Sequence, residues 1–164
     1  ENRAIMGGKL HMQGDGNNDD MLILPSETTK KFVDAARKLR ILNAVRNPSV
    51  GLILTSAQFD VITATGVVAR LIAIKKPALA TSISKYLSLP RSVQLYARAS
   101  KAAAFVAAEK DRSDADTAQG AIQILHEKSS NESTNDTTSS FNRGGYATVA
   151  MAANKAGRPG VANL

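Results

Sequence analysis

The sequence predicts a mainly α protein: a bundle of four to five helices from Ser26 to Lys128, with an extended N-terminal arm and a C-terminal loop and tail. Three observations predict it. Apolar residues between 26 and 128 recur at three- and four-residue spacing, the period of a helix that buries one face. Pro48, Pro77 and Pro90 punctuate the periodic stretches, and a residue before proline avoids the helical region. The chain of 164 residues is 43% hydrophobic but only 4% aromatic and has no Trp, so its core is built from Ala, Val, Ile and Leu. Small side chains of this kind let helices approach closely, and the length suits one core.

Residues 1–25 form the arm. Two short apolar runs flank Gly14, Asp15, Gly16, Asn17 and Asn18, residues that favour turns, so the segment reads as a possible hairpin. The first helix starts after Ser26, whose hydroxyl can cap the free N–H groups, with Glu27 suited to the positive end of the helix dipole. It places Phe32, Ala36, Leu39 and Leu42 near one face and ends at Asn47-Pro48. A second helix spans 56–75 on the spacing of Phe59, Ile62, Val67, Leu71 and Ile74; Thr63, Thr65 and Gly66 weaken it, and Pro77 breaks it. A third runs to about Leu87, Ser88-Leu89-Pro90 makes a turn, and an Ala-rich fourth runs from Arg91 to about Lys110. Ser113 or Asp114 caps a fifth that ends near Lys128.

Residues 129–145 are rich in Ser, Thr and Asn and read as a long loop, because such a composition buries too little surface to offset its ordering entropy. Residues 146–156 return to a helical pattern, Gly157 stops it, and the tail that follows shows no core pattern. The organisation is therefore an arm over 1–25, a basic helical core over 26–128, and a loop, short helix and tail over 129–164.

Charge divides along the same lines. The formal net charge of +7 resolves into −2 over residues 1–25, +10 over 26–112 and −1 over 113–164. A single positive block is what a polyanion-binding surface requires. The residues that would carry it are Lys30, Lys31, Arg37, Lys38, Arg40 and Arg46 on the first helix, Arg70, Lys75 and Lys76 at the end of the second, and Lys85, Arg91, Arg98 and Lys101 along the third and fourth. Lys and Arg spaced on a rigid scaffold neutralise phosphates and release counterions, and Arg adds bidentate contacts. Tyr86 and Tyr96 offer rings that either stack on bases or sit buried with their hydroxyls satisfied.

No catalytic residue, metal site or cofactor is assigned. The absence of Cys excludes disulfides, thiol catalysis and zinc fingers. His11 and His126 stand far apart without carboxylates at ligand spacing, and no phosphate-binding loop, nucleophile elbow or dinucleotide fingerprint occurs. Gly7-Gly8 and Gly144-Gly145 read as turns, and Asp19-Asp20 as acidic turn residues. No apolar run reaches the length of a membrane span, and no secretion signal is visible.

The stretch ALATSISKYLSLPRSVQLYARASKA, within residues 78–104, resembles a helix–turn–helix, and the upstream LTSAQFDVI is similar to the helix that precedes this unit in MarR-type regulators. The resemblance implies a DNA-binding transcriptional regulator in which Arg91, Ser92, Gln94 and Arg98 face bases and phosphates. The leading expectation is different: a non-enzymatic coat or nucleocapsid-like subunit, in the virion or the cytoplasm. It would bind nucleic acid, RNA ahead of DNA, and assemble with copies of itself through near-neutral arms.

Overall fold

A computed structural model gives the fold and describes residues 26–127 and 139–163, the side chains of 139–143 excepted. The expected hairpin in 1–25 and the loop over 129–138 lie outside the described residues. The protein is mainly helical, and among the described residues there is no strand. The helices are α1 (Glu27–Arg46), α2 (Ser56–Ala73), α3 (Pro77–Tyr86), α4 (Arg91–Ala108), α5 (Asp114–His126), α6 (Ser139–Lys155) and α7 (Pro159–Ala162).

Local chemistry sets the ends. Ser26 and Ser113 cap α1 and α5 by accepting from the N–H groups of Thr29 and Asp116. Thr55 and Gln58 form a reciprocal capping box at α2. Helices α2, α3 and α6 close on a residue of positive φ: Lys75 at 61°, Ser88 at 49° and Gly157 at 72°. In each case the next N–H bonds back to the preceding turn, Lys76 to Leu71 O, Leu89 to Ser84 O and Arg158 to Ala153 O. Inside α2, Thr63 sits at φ 65°, ψ 162°, a kink at the point where the sequence is weakest for a helix.

The packing order is simple. In every extensive contact the two helices are one or two apart along the chain: α1 on α2, α2 on α3 and α4, α3 on α4, α4 on α5 and α6, α5 on α6 and α7, α6 on α7. The even-numbered helices thus stand side by side, with odd-numbered helices across from them. The core divides in the same way. One cluster joins Ile41, Leu42 and Val45 of α1 to Phe59, Val67, Val68 and Leu71 of α2, Ile83 of α3 and Ala97 of α4. A second joins Ala102 and Val106 of α4 to Ala121, Val149, Ala153 and Val161. Only α4 feeds both. Its partners come close: a Cβ on Gly120 of α5 would meet the Phe105 ring at 2.8 Å.

Two expectations need correction. The last long helix is not the short one expected over 146–156 but runs Ser139–Lys155, lying along α4, because Val149 and Ala153 match the small-residue face of that helix. The tail does enter the core: Val161 of α7 is fully buried. Its pattern was illegible because a four-residue helix brings only Val161 and Ala162 to the core, too few to show a period.

Candidate binding surface

Among the described residues, helix α1 is the element that presents its cations in series. Its last turns are anchored by Ile41, Leu42 and Val45, whereas from Glu27 to Arg40 only Ala36 and Lys38 are even half-buried. Lys30, Lys31, Arg37, Arg40 and Arg46 are exposed. Lys31 and Arg37 face Glu27 at 3.9 Å and Asp34 at 3.7 Å, loose pairs that contribute little in water. Arg40 donates to the Tyr86 hydroxyl at 3.1 Å. Lys38 is different: its ammonium donates to both oxygens of Asp60 on α2, at 2.6 and 2.5 Å, and lies 6.0 Å from the Phe59 ring centroid. A groove between the two helices is lined by Lys31, Asp34, Ala35, Lys38, Leu39, Ser56 and Asp60.

At the end of α2, Arg70 and Lys75 are exposed and Lys76 is half-buried. Among the described residues none of the three has a carboxylate within ion-pair distance. They do not extend the α1 series, since they lie at the far end of α2 from Ser56 and Asp60.

The expected cations of α3 and α4 turn inward. Lys85 and Lys101 converge on the Glu127 carboxylate, at 2.6 and 3.3 Å. The Arg98 guanidinium, in a residue 2% exposed, donates from Nη1 to the Glu127 carbonyl. Hydrogen bonding from Lys85, opposed by partial burial and reinforced by Lys101, holds the Glu127 carboxyl below its ordinary value. Arg91 is half-buried at the first turn of α4. This cluster pins the end of α5 to α3 and α4 and leaves Arg98 inaccessible to a phosphate.

Of the residues that the helix–turn–helix resemblance turns toward nucleic acid, Ser92 is exposed, Arg91 half-buried, and Gln94 and Arg98 buried. A recognition helix needs one open face. Here α4 is packed by α2, α3, α5 and α6, with Gln94 buried and donating to the Leu89 carbonyl at 2.7 Å, and Arg98 buried beside it. Tyr86 and Tyr96 are exposed at the rims of α3 and α4 rather than buried.

Two working residues escaped the sequence reading. Glu127 stands at the C-terminal end of α5, where the helix dipole disfavours a carboxylate. That local conflict was the available sign of an outside partner. Arg158 gave no sign. It donates through Nε to Asp114 at 2.9 Å and through its two terminal nitrogens to the carbonyls of Glu109 and Arg112, clamping the start of α7 to the α4–α5 connection. His126 shares a 2.7 Å hydrogen bond with the Tyr146 hydroxyl, and among the described residues no three His, Asp or Glu side chains gather closely enough to hold a metal. No helix among those residues is long and apolar enough to cross a membrane.

Comparison with known proteins gives a likeness over part of the chain. No family model matches the chain, and no solved structure matches it. Over 64 residues it is 38% identical to Protein VACUOLELESS1 of Arabidopsis thaliana. The matched stretch is 39% of this chain but 8% of the plant protein's length.

Proposed function

We propose that this chain is a non-enzymatic helical scaffold, a stretch of a larger protein similar to VACUOLELESS1, that holds partner-binding faces in fixed register. The observation that carries this reading is the packing order, in which every extensive contact among the described helices joins first or second neighbours along the chain. Arrays built in this way extend by adding helices and bind partners on the surfaces that repetition creates. The likeness to a small part of a much longer protein is in keeping with a segment of such an array. By the name of that relative, the larger protein's work is to be sought at the vacuole. The test is depletion of the encoded protein in its own cells, scored by vacuolar morphology. Altered vacuoles support the reading; unaltered vacuoles remove its link to that relative.

A second reading, the coat or nucleocapsid-like subunit, keeps one observation in its favour: the exposed series Lys30, Lys31, Arg37, Arg40 and Arg46 on α1. It requires copies of the chain assembling along RNA, and a location in a virion or the cytoplasm. Electron microscopy of the purified protein with and without RNA separates the two. Filaments or shells support the coat, and a discrete particle under both conditions rejects it. The regulator reading retains less, because its recognition residues Gln94 and Arg98 are buried.

A further inference from the structure

We propose that the open face of α1, with the groove it forms against α2, docks an acidic amphipathic helix of a partner protein. Phe32 is 74% exposed and Leu39 58%, with Val33 exposed beside them, an apolar load that polyanion binding does not explain. At about 100° per residue, Phe32, Ala36 and Leu39 fall within an arc of about 60°. The same count sets Arg40 about 40° and Arg37 about 100° beyond one edge of that arc, Lys31 and Lys38 about 80° to 100° beyond the other, and Glu27 and Asp34 on the opposite side. Six cations (Lys30, Lys31, Arg37, Lys38, Arg40, Arg46) against two carboxylates (Glu27, Asp34) give α1 a net charge of +4. An apolar stripe on a helix of net positive charge, with cations on both flanks, is complementary to a helix with apolar residues at i, i+3, i+4 and i+7 flanked by Glu and Asp.

The surroundings favour a protein helix over the other anionic surfaces. The stripe borders a groove, not a plane, and Asp34 and Asp60 stand in the groove wall. Asp60 is already paired with Lys38, and an acidic amphipathic helix can lay its apolar face on Phe32 and Leu39 while turning its carboxylates to the Arg37–Arg40 flank, away from Asp34, which a uniformly charged phosphate backbone without an apolar face cannot do. The inference rests on the scaffold reading only in taking a protein as the occupant, and its test is made on the purified full chain, independently of any vacuolar phenotype.

The probe is a fluorescein-labelled peptide of about 18 residues, long enough to be helical when bound, with Leu at helical spacing and Glu at the flanking positions. A control carries Lys in place of Glu. Anisotropy should show the acidic peptide binding and the basic one not, with affinity falling about tenfold between about 0.05 and 0.5 M salt. F32S/L39S should lose binding about tenfold or more, and R37E/R40E should lose it while keeping the wild-type circular dichroism. Equal binding of both peptides, or no binding, overturns the proposal. So does a wild-type dimer that F32S/L39S converts to a monomer, which would make a second copy the occupant. Retention on phosphatidylserine vesicles or poly(U) that falls in R37E/R40E, with no peptide binding, assigns the face to lipid or RNA and equally overturns it.

Discussion

The two ends of the molecule use the same residue types in opposite ways. On α1 the arginines and lysines stand out in water, tied at most to loose neighbours on their own helix or to single partners on α2 and α3. Around the end of α5 and the start of α7 they face inward, onto Glu127, Asp114 and free backbone carbonyls. The difference teaches that a segment's net charge is not its surface charge. A cation becomes scaffold where a helix end leaves carbonyls unsatisfied beside it, and stays available where its helix runs past its neighbours.

The comparison breaks most sharply at Arg158. Its side chain is 12% exposed and serves a carboxylate and two carbonyls. Arg158→Met leaves those acceptors without their donor, and such losses cost about 2–4 kcal/mol. Urea unfolding should show that loss, with the α4–α7 cluster opening before the α1–α4 cluster. A loss below about 0.5 kcal/mol, within the range of ordinary surface substitutions, would place Arg158 with the surface cations.

Glu127 comes next. With side chains 42% exposed at Glu127 and 27% at Lys85, water screens the pair, so Glu127→Gln should cost about 1 kcal/mol or less at neutral pH. The sign with pH is fixed. Its folded pKa is lowered, so the contribution is present above the unfolded value near 4.5 and is lost as pH falls through the folded one. Acid unfolding curves of wild type and E127Q should therefore converge at low pH and separate above it. Parallel curves throughout would mean that the Lys85 and Lys101 contacts carry no linkage.

Most of the fold was legible, and most of the site was not, for one physical reason. Helix starts at Ser26 and Ser113 and stops at Pro48, Pro77 and Gly157 are short-range chemistry, readable within four residues. Pairing is long-range. Nothing near Arg98 announces the Glu127 carbonyl, and nothing near Arg158 announces Asp114, 44 residues earlier. The same limit hid the early start of α6 and its place beside α4, which depends on Val149 and Ala153 meeting a facing row of small residues.

A smaller effect tests whether backbone strain sits where the helices join. Thr63 holds a β-branched side chain at φ 65°, ψ 162°, a region that glycine alone adopts easily, and Thr63 itself is exposed. Thr63→Gly should relieve about 1 kcal/mol of strain, offset in part by the added freedom of the unfolded chain, for a net rise in Tm. A fall in Tm would mean that α2 runs straight through this position.

The smallest expected effect is the one that gives the comparison its functional meaning. Among the described residues, Arg37, half-exposed at the side chain, lies 3.7 Å from Asp34 alone, and Arg40 reaches only the Tyr86 hydroxyl. Reversing both in R37E/R40E should change unfolding free energy by no more than about 0.5 kcal/mol, as expected for exposed positions outside any network. Lys38 is left in place because its bond to Asp60 ties α1 to α2. The same change reverses two charges on one flank of the Phe32–Leu39 stripe. A variant that keeps its stability and loses its partner places these arginines in binding. A variant that unfolds early would show that α1 depends on its cations as the far end of the chain does, and the contrast between the two ends would disappear.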